Sequence, residues 1–207
     1  MVVFLSTSIT LPARRLVLAE VLPTGLTRSG VTILLGAALT ALAAQVSLPV
    51  PGSPVPVTGQ TFAVLLTAAA LGPARGLAAQ GLYLVMGAVG LPVFAGATHG
   101  TGVIFGASGG YLIGFLVAAL ITGYGARHGA DRSPVRTLLL FALASVVIYA
   151  IGTTWLCLDT GMSLSAGISA GVTPFLPGDA AKALLAAGLL PGAWWLTGRG
   201  AGRGNAR

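Results

Sequence analysis

Charge is what this sequence has least of. Four acidic residues among 207, Glu20, Asp131, Asp159 and Asp179, stand beside eleven basic ones, and charged residues make up 7% of the chain. A soluble domain carries roughly 25%, so this chain cannot clothe a water-facing surface with charge. Cysteine occurs once, as Cys157, which excludes a disulfide framework and a thiolate metal cluster. Lysine also occurs once, and Lys182 is followed by Ala183. A phosphate-binding loop needs Gly-Lys-Ser/Thr, so the chain is no ATPase. No metal, no cofactor and no catalytic activity are expected of it.

What fills the space is apolar. Hydrophobic residues are 55% of the chain and the mean hydropathy is +0.93. Six apolar runs stand out, at 30–48, 55–71, 77–94, 105–124, 138–158 and 174–197. Each approaches the roughly 17–25 residues that cross about 30 Å of hydrocarbon. Between the second and third lies Gly72-Pro73-Ala74-Arg75, a turn that separates two helices rather than continuing one. The fold class expected is therefore an all-α integral membrane protein, a bundle of six transmembrane helices.

The net charge of +7 comes without a basic stripe, which argues against nucleic acid. Its distribution instead sets a topology. All ten arginines fall in the flanks (Arg14, Arg15 and Arg28; Arg199, Arg203 and Arg207) or in the second and fourth loops (Arg75; Arg127, Arg132 and Arg136). The first, third and fifth loops have no cation. The positive-inside rule then puts both termini in the cytoplasm of a multi-pass cell-membrane protein. Residues 1–27 are expected as a cytoplasmic arm, 28–197 as the membrane domain and 198–207 as a Gly/Arg-rich tail. Residues 1–11 are apolar ahead of their arginines, the reverse of a signal peptide.

Asp179 and Lys182 begin the sixth run at i, i+3, so they share a helix face. An ionisable side chain in the bilayer costs roughly 2.5–3.5 kcal/mol at mid-helix, less near an interface. The pair admits two readings: a site for a polar ligand arriving from outside, or an ion pair that locks helix packing. Around it, 49–60 carries four prolines and must be extended, with Thr58 and Gln60 as neutral donors and acceptors. The third loop offers Phe94 and His99. Tyr83, Tyr111, Tyr149 and Trp155 lie in the runs, as pocket walls or as interfacial anchors. Gly102, Gly106, Gly110 and Gly114 would form a small-residue ridge wherever that stretch is helical.

Gly106-Ala107-Ser108-Gly109 fits the pattern of intramembrane serine proteases, but the one later histidine, His128, belongs to the cytoplasmic loop. A retinal Schiff base on Lys182 is disfavoured by six spans rather than seven and by an acid three residues away.

Four motifs in order, Pro54-Val55-Pro56-Val57-Thr58-Gly59-Gln60-Thr61-Phe62, Gly90-Leu91-Pro92-Val93-Phe94, Gly109-Gly110-Tyr111-Leu112-Ile113-Gly114-Phe115 and Pro174-Phe175-Leu176-Pro177-Gly178-Asp179-x-x-Lys182, resemble the BioY family. These are the biotin-specific S components of energy-coupling-factor (ECF) transporters, and the match runs from about 37 to 187. The resemblance implies the S-component fold, a biotin pocket on the outer side, and direct contacts to biotin from Asp179 and Lys182. Thr58, Gln60, Tyr83, Phe94, His99, Ser108, Tyr111, Tyr149 and Trp155 complete the candidate site. It further implies membrane partners, a coupling subunit and two ATPase subunits, or self-association where a member works alone. Ala37 and Ala41 match the Ala-x-x-x-Ala patch that docks the coupling subunit. One departure stands out: the family's Gly-Pro-Thr-Gly-Gly-Tyr is Gly106-Ala107-Ser108-Gly109-Gly110-Tyr111 here, keeping a hydroxyl and losing the proline. A carrier for another small carboxylate vitamin and a structural helix bundle are the alternatives.

Overall fold

The computed structural model describes residues 16–21 and 26–198. The arm before residue 16 and the tail after 198, with Arg14, Arg15, Arg199, Arg203 and Arg207, lie outside the described residues, as does the side chain of Arg28. Eight α-helices occupy the described chain: α1 (Leu26–Gln45), α2 (Gln60–Leu71), α3 (Pro73–Ala88), α4 (Thr101–Phe105), α5 (Gly109–Arg127), α6 (Pro134–Thr160), α7 (Leu164–Gly171) and α8 (Leu176–Leu196). Two-residue strands β1 (Ser47–Leu48) and β2 (Val57–Thr58) pair antiparallel, Ser47 opposite Thr58.

The six longer helices follow the six apolar runs, and α5 sits at the centre against α6, α2 and α3. α1 covers α2 and α3, while α8 packs on α6. Helices α5 and α6 are long and apolar enough to cross a membrane. The Gly72 turn is as its sequence requires: Gly72 takes φ +83°, open to a residue without Cβ, and Pro73 starts α3. On the facing side Gly123 has no room for a side chain against Gly72 and Pro73.

The second run is helical only from Gln60, in keeping with the extended backbone expected of 49–60. Residues 55–59 are not helical, because Pro54 and Pro56 push their neighbours to extended backbone, and α2 begins only at Gln60. At a rise of 1.5 Å per residue its 12 residues extend about 18 Å. Of the extended residues, Val55, Pro56 and Thr58 line a cavity.

The glycine ridge also divides in two. Gly110 and Gly114 pack against α6, with Ile148 Cα 3.1 Å from where a Cβ on Gly114 would stand. Gly102 and Gly106 instead line the cavity, because the chain bends between α4 and α5. Trp155 on α6 closes that bend by donating from Nε1 to the Gly106 carbonyl at 3.0 Å.

At the opposite end, the segment before α1 is fastened to the bundle. Val17 is fully buried, and Glu20 pairs with Arg127 at 2.7 Å and Arg75 at 3.7 Å. Burial raises the Glu20 pKa; the Arg127 hydrogen bond, the Val17 N–H and both guanidinium charges outweigh it and hold the carboxyl below its usual value. Trp194 of α8 donates to the buried Asp131 at 2.5 Å, under the guanidinium of Arg132.

Candidate functional site

Where α2, α5 and α8 begin, their ends surround a cavity of about 310 Å³. Its deep wall is formed by Gln60 and Thr61 at the start of α2, Tyr111 and Phe115 on α5, and Ile148 and Tyr149 on α6. Exposed Pro54, Thr98 and Gly102 mark the mouth. Phe175, just before α8, is packed between two tyrosines, stacked with Tyr111 at 6.0 Å and edge-on to Tyr149 at 6.4 Å. The site thus joins flat apolar walls to a few neutral hydrogen-bonding groups, the usual recipe for a small-molecule pocket.

Behind the deep wall lies the ion pair. Lys182 Nζ donates to Asp179 Oδ1 at 2.6 Å, to Thr61 Oγ1 at 2.8 Å and to the Thr58 carbonyl at 2.7 Å. Asp179 also accepts from Thr61 Oγ1 at 2.8 Å and, on Oδ2, from the Tyr149 hydroxyl at 2.5 Å. Asp179 is 8% exposed. Every ammonium hydrogen therefore has an acceptor and both carboxylate oxygens have donors, which is the condition for burying such a pair. The void that touches Asp179 and Lys182 holds only about 10 Å³, about one water. The cavity meets the pair through Thr58, Thr61 and Tyr149.

A second network stiffens the other wall. Gln60 Nε2 donates to the Tyr83 hydroxyl at 2.6 Å, Thr58 Oγ1 donates to Gln60 Oε1 at 2.8 Å, and the fully buried Tyr83 ring meets Phe94 edge-on at 5.4 Å. Phe94 lies over Gly87, where a side chain would collide with it. Gln45, ending α1, holds the same loop, donating to the Phe94 carbonyl at 3.2 Å and accepting from the Ala97 N–H at 3.0 Å.

Of the residues singled out by sequence, Thr58, Gln60, Phe94, Ser108, Tyr111 and Tyr149 line the cavity. Asp179 and Lys182 stand one side chain behind it. Tyr83 supports Gln60, Trp155 pins the α4–α5 bend, and His99 is exposed and off the cavity wall. Ala37 and Ala41 do not form an outward docking patch in this conformation. Ala37 is fully buried and Ala41 packs against the core. Gly36, Ala37 and Ala44 of α1 face inward, where bare Gly36 admits Thr67 and Ala79; Leu34, Leu35, Leu39 and Leu42 face out. Sequence reasoning missed Thr61, Phe175 and Gln45 as site residues. Thr61 and Phe175 fall inside the quoted motifs; nothing in the sequence marks Gln45.

Comparison with known proteins agrees on one family. The probable biotin transporter BioY of Pyrococcus horikoshii is 40% identical over 149 residues, covering 72% of this chain and 85% of the relative. The biotin transporter BioY of Thermotoga maritima is 36% identical over 151 residues, covering 72% and 86%, and that of Rhizobium etli 33% over 164, covering 75% and 87%. Among solved structures, the S-component for biotin from an ECF-type ABC transporter superposes with a TM-score of 0.73 at 22% identity, covering 82% of this chain and 93% of that one. That likeness establishes the fold as the S-component fold. With residues 13–199 matching the BioY family, the chain belongs to the BioY family.

Proposed function

We propose that this protein is a multi-pass cell-membrane protein that captures biotin at the outer face and carries it inward. The observation that carries this reading is the cavity: apolar aromatic walls, a neutral polar deep end and a self-satisfied ion pair behind it, in a chain whose relatives are named biotin transporters. Biotin's ureido group offers two N–H donors and a carbonyl acceptor. Gln60, Thr61 and Tyr149 supply the complementary atoms, while Tyr111, Phe115 and Phe175 cover the ring and chain.

In this reading α1, α2, α3, α5, α6 and α8 cross the bilayer, with both termini cytoplasmic. The arginines support that orientation: Arg75 and Arg127 gather with Glu20 at the end opposite the cavity, as the positive-inside rule asks. Asp179 and Lys182 act through the wall they hold, fixing Thr58, Thr61 and Tyr149 on three separate segments. The loops around Pro54–Gln60 and Phe94–Gly100 close the mouth, and release inside follows reorientation or opening of the bundle. A coupling subunit and two ATPase subunits of the ECF type would drive release. A solitary member would rely on self-association.

The test is the thermal midpoint of purified protein with biotin and with thiamine. Biotin at a hundredfold excess over its dissociation constant adds about 2.7 kcal/mol of stability. An upward shift with biotin alone is expected; no shift on folded protein refutes the assignment.

A further inference from the structure

We infer that Tyr111 is a positioning residue: its ring walls the cavity, while its hydroxyl tethers the segment between α7 and α8 and so keeps Phe175 stacked on that ring. The effect on binding rests on the biotin reading above; the tether does not. The segment has little else to hold it. Helix α7 has 8 residues, short of the roughly 12–15 that an isolated helix needs. Its buried positions are Gly167 and Gly171, which bury no side chain, while Leu164 and Ile168 face out. Between Met162 and Phe175, the one buried side chain among the described residues is Phe175 itself.

Polar ties to the segment are as few. Among the described residues two side chains from outside hydrogen-bond to it: Cys157, whose thiol lies 3.7 Å from the Ser163 carbonyl, and Tyr111, which donates to the Gly171 carbonyl at 2.8 Å. A thiol is a weak donor, so the hydroxyl carries the tie. Packing fixes where that hydroxyl stands. The Tyr111 ring fills the space over Gly152, where a Cβ would collide with it, and lies on Phe175 at 6.0 Å and 13°. Gly171 has no room for a side chain against the hydroxyl, so a bare residue lets its carbonyl approach. The hydroxyl's single hydrogen is spent on Gly171, and Thr153 Oγ1 stands 3.4 Å away to donate to its oxygen. Tyr111 therefore offers a ligand its face and no free hydrogen.

The experiment is Tyr111→Phe, which keeps the ring and removes the tether, read in two ways. In ligand-free protein the amides of Val172, Thr173 and Phe175, all hydrogen-bonded, are expected to exchange with deuterium about fivefold faster, the worth of one net hydrogen bond. Unchanged exchange there overturns the tether, whatever the protein binds. In binding, labelled biotin is expected to dissociate about fivefold faster, with association within about twofold of the parent. A double-mutant cycle with Phe175→Ala separates the two ways the hydroxyl could act. If it acts by holding Phe175, Tyr111→Phe costs less than about twofold once Phe175 is replaced. A cost there as large as in the parent puts the hydroxyl on the ligand and overturns the inference, as does an unchanged dissociation rate. A parent that binds no biotin overturns the biotin reading, and the exchange result then decides the tether alone.

Discussion

Thr61→Val is the most informative single change, because it keeps the shape and removes one oxygen. That oxygen donates to Asp179 Oδ1 and accepts from Lys182 Nζ, both at 2.8 Å. A bond to a charged partner is worth about 1.5–3 kcal/mol. The two share an atom and are not independent, and the ion pair keeps its own 2.6 Å contact and the Thr58 carbonyl. The extra buried methyl returns about 0.8 kcal/mol. The net loss expected is about 1.5–3 kcal/mol, which lowers the ligand-free thermal midpoint by roughly 5–10 °C in a chain of this size. Biotin affinity falls as well, since Thr61 lines the cavity. Thr61→Ser, which keeps the hydroxyl, restores most of both. A Val variant within about 1 °C of the parent, or a Ser variant as poor as Val, refutes the bridging role.

Gln45→Ala unties the Phe94 loop and is expected to speed biotin dissociation by about fivefold, the worth of roughly one net hydrogen bond; stopped-flow release measures it, and an unchanged rate removes the loop from the gate. Gly87→Ala drives its methyl into Phe94 and costs about 1–3 kcal/mol by overpacking, visible as a lower midpoint together with weaker binding. Acid tests the arm. Because the folded pKa of Glu20 lies below its unfolded value of 4.5, its contribution is complete above that value and fades as pH falls through the folded pKa. Glu20→Gln should therefore be less stable than the parent at pH 7, with the midpoints converging below about pH 4; a gap that persists in acid would assign the effect to packing.

How much of this was legible depended on whether local or tertiary chemistry decided each feature. The Gly72-Pro73 break was readable because a positive φ and a proline at the first helical position are local signals. The start of α2 drew two opposed signals, an apolar run from Val55 that suggested helix and the prolines of 49–60 that required extended backbone; the helix begins at Gln60, as the prolines ask. α4 and α7 were missed because at 5 and 8 residues they fall inside loops defined by hydropathy alone. Asp179 and Lys182 declared themselves by charge and by i, i+3 spacing. That they stand behind Thr61 was hidden, because it depends on where α2 meets α8. Small residues misled in the same way. Ala-x-x-x-Ala on α1 and the glycines on α5 mark close approach without saying what approaches, and here Ala37 is buried in the protein's own core.

The ion pair shows why burying charge can serve a neutral pocket. Two ions taken from water cost several kcal/mol each, and their attraction returns this only when the remaining hydrogen-bonding capacity is filled. Here it is filled by Thr58, Thr61 and Tyr149, which come from β2, α2 and α6, while the ions come from α8. Moving any one of these segments would strand a charge, at about 3–5 kcal/mol for a broken buried pair. The four elements are thereby fixed relative to one another at the point where the ligand head must be read. A hydrophobic contact of equal area would hold them together yet allow sliding, because dispersion is non-directional. The cavity's neutral hydroxyls owe their positions to charges that stand behind its lining, and a preorganised wall of that kind recovers ordering cost at binding.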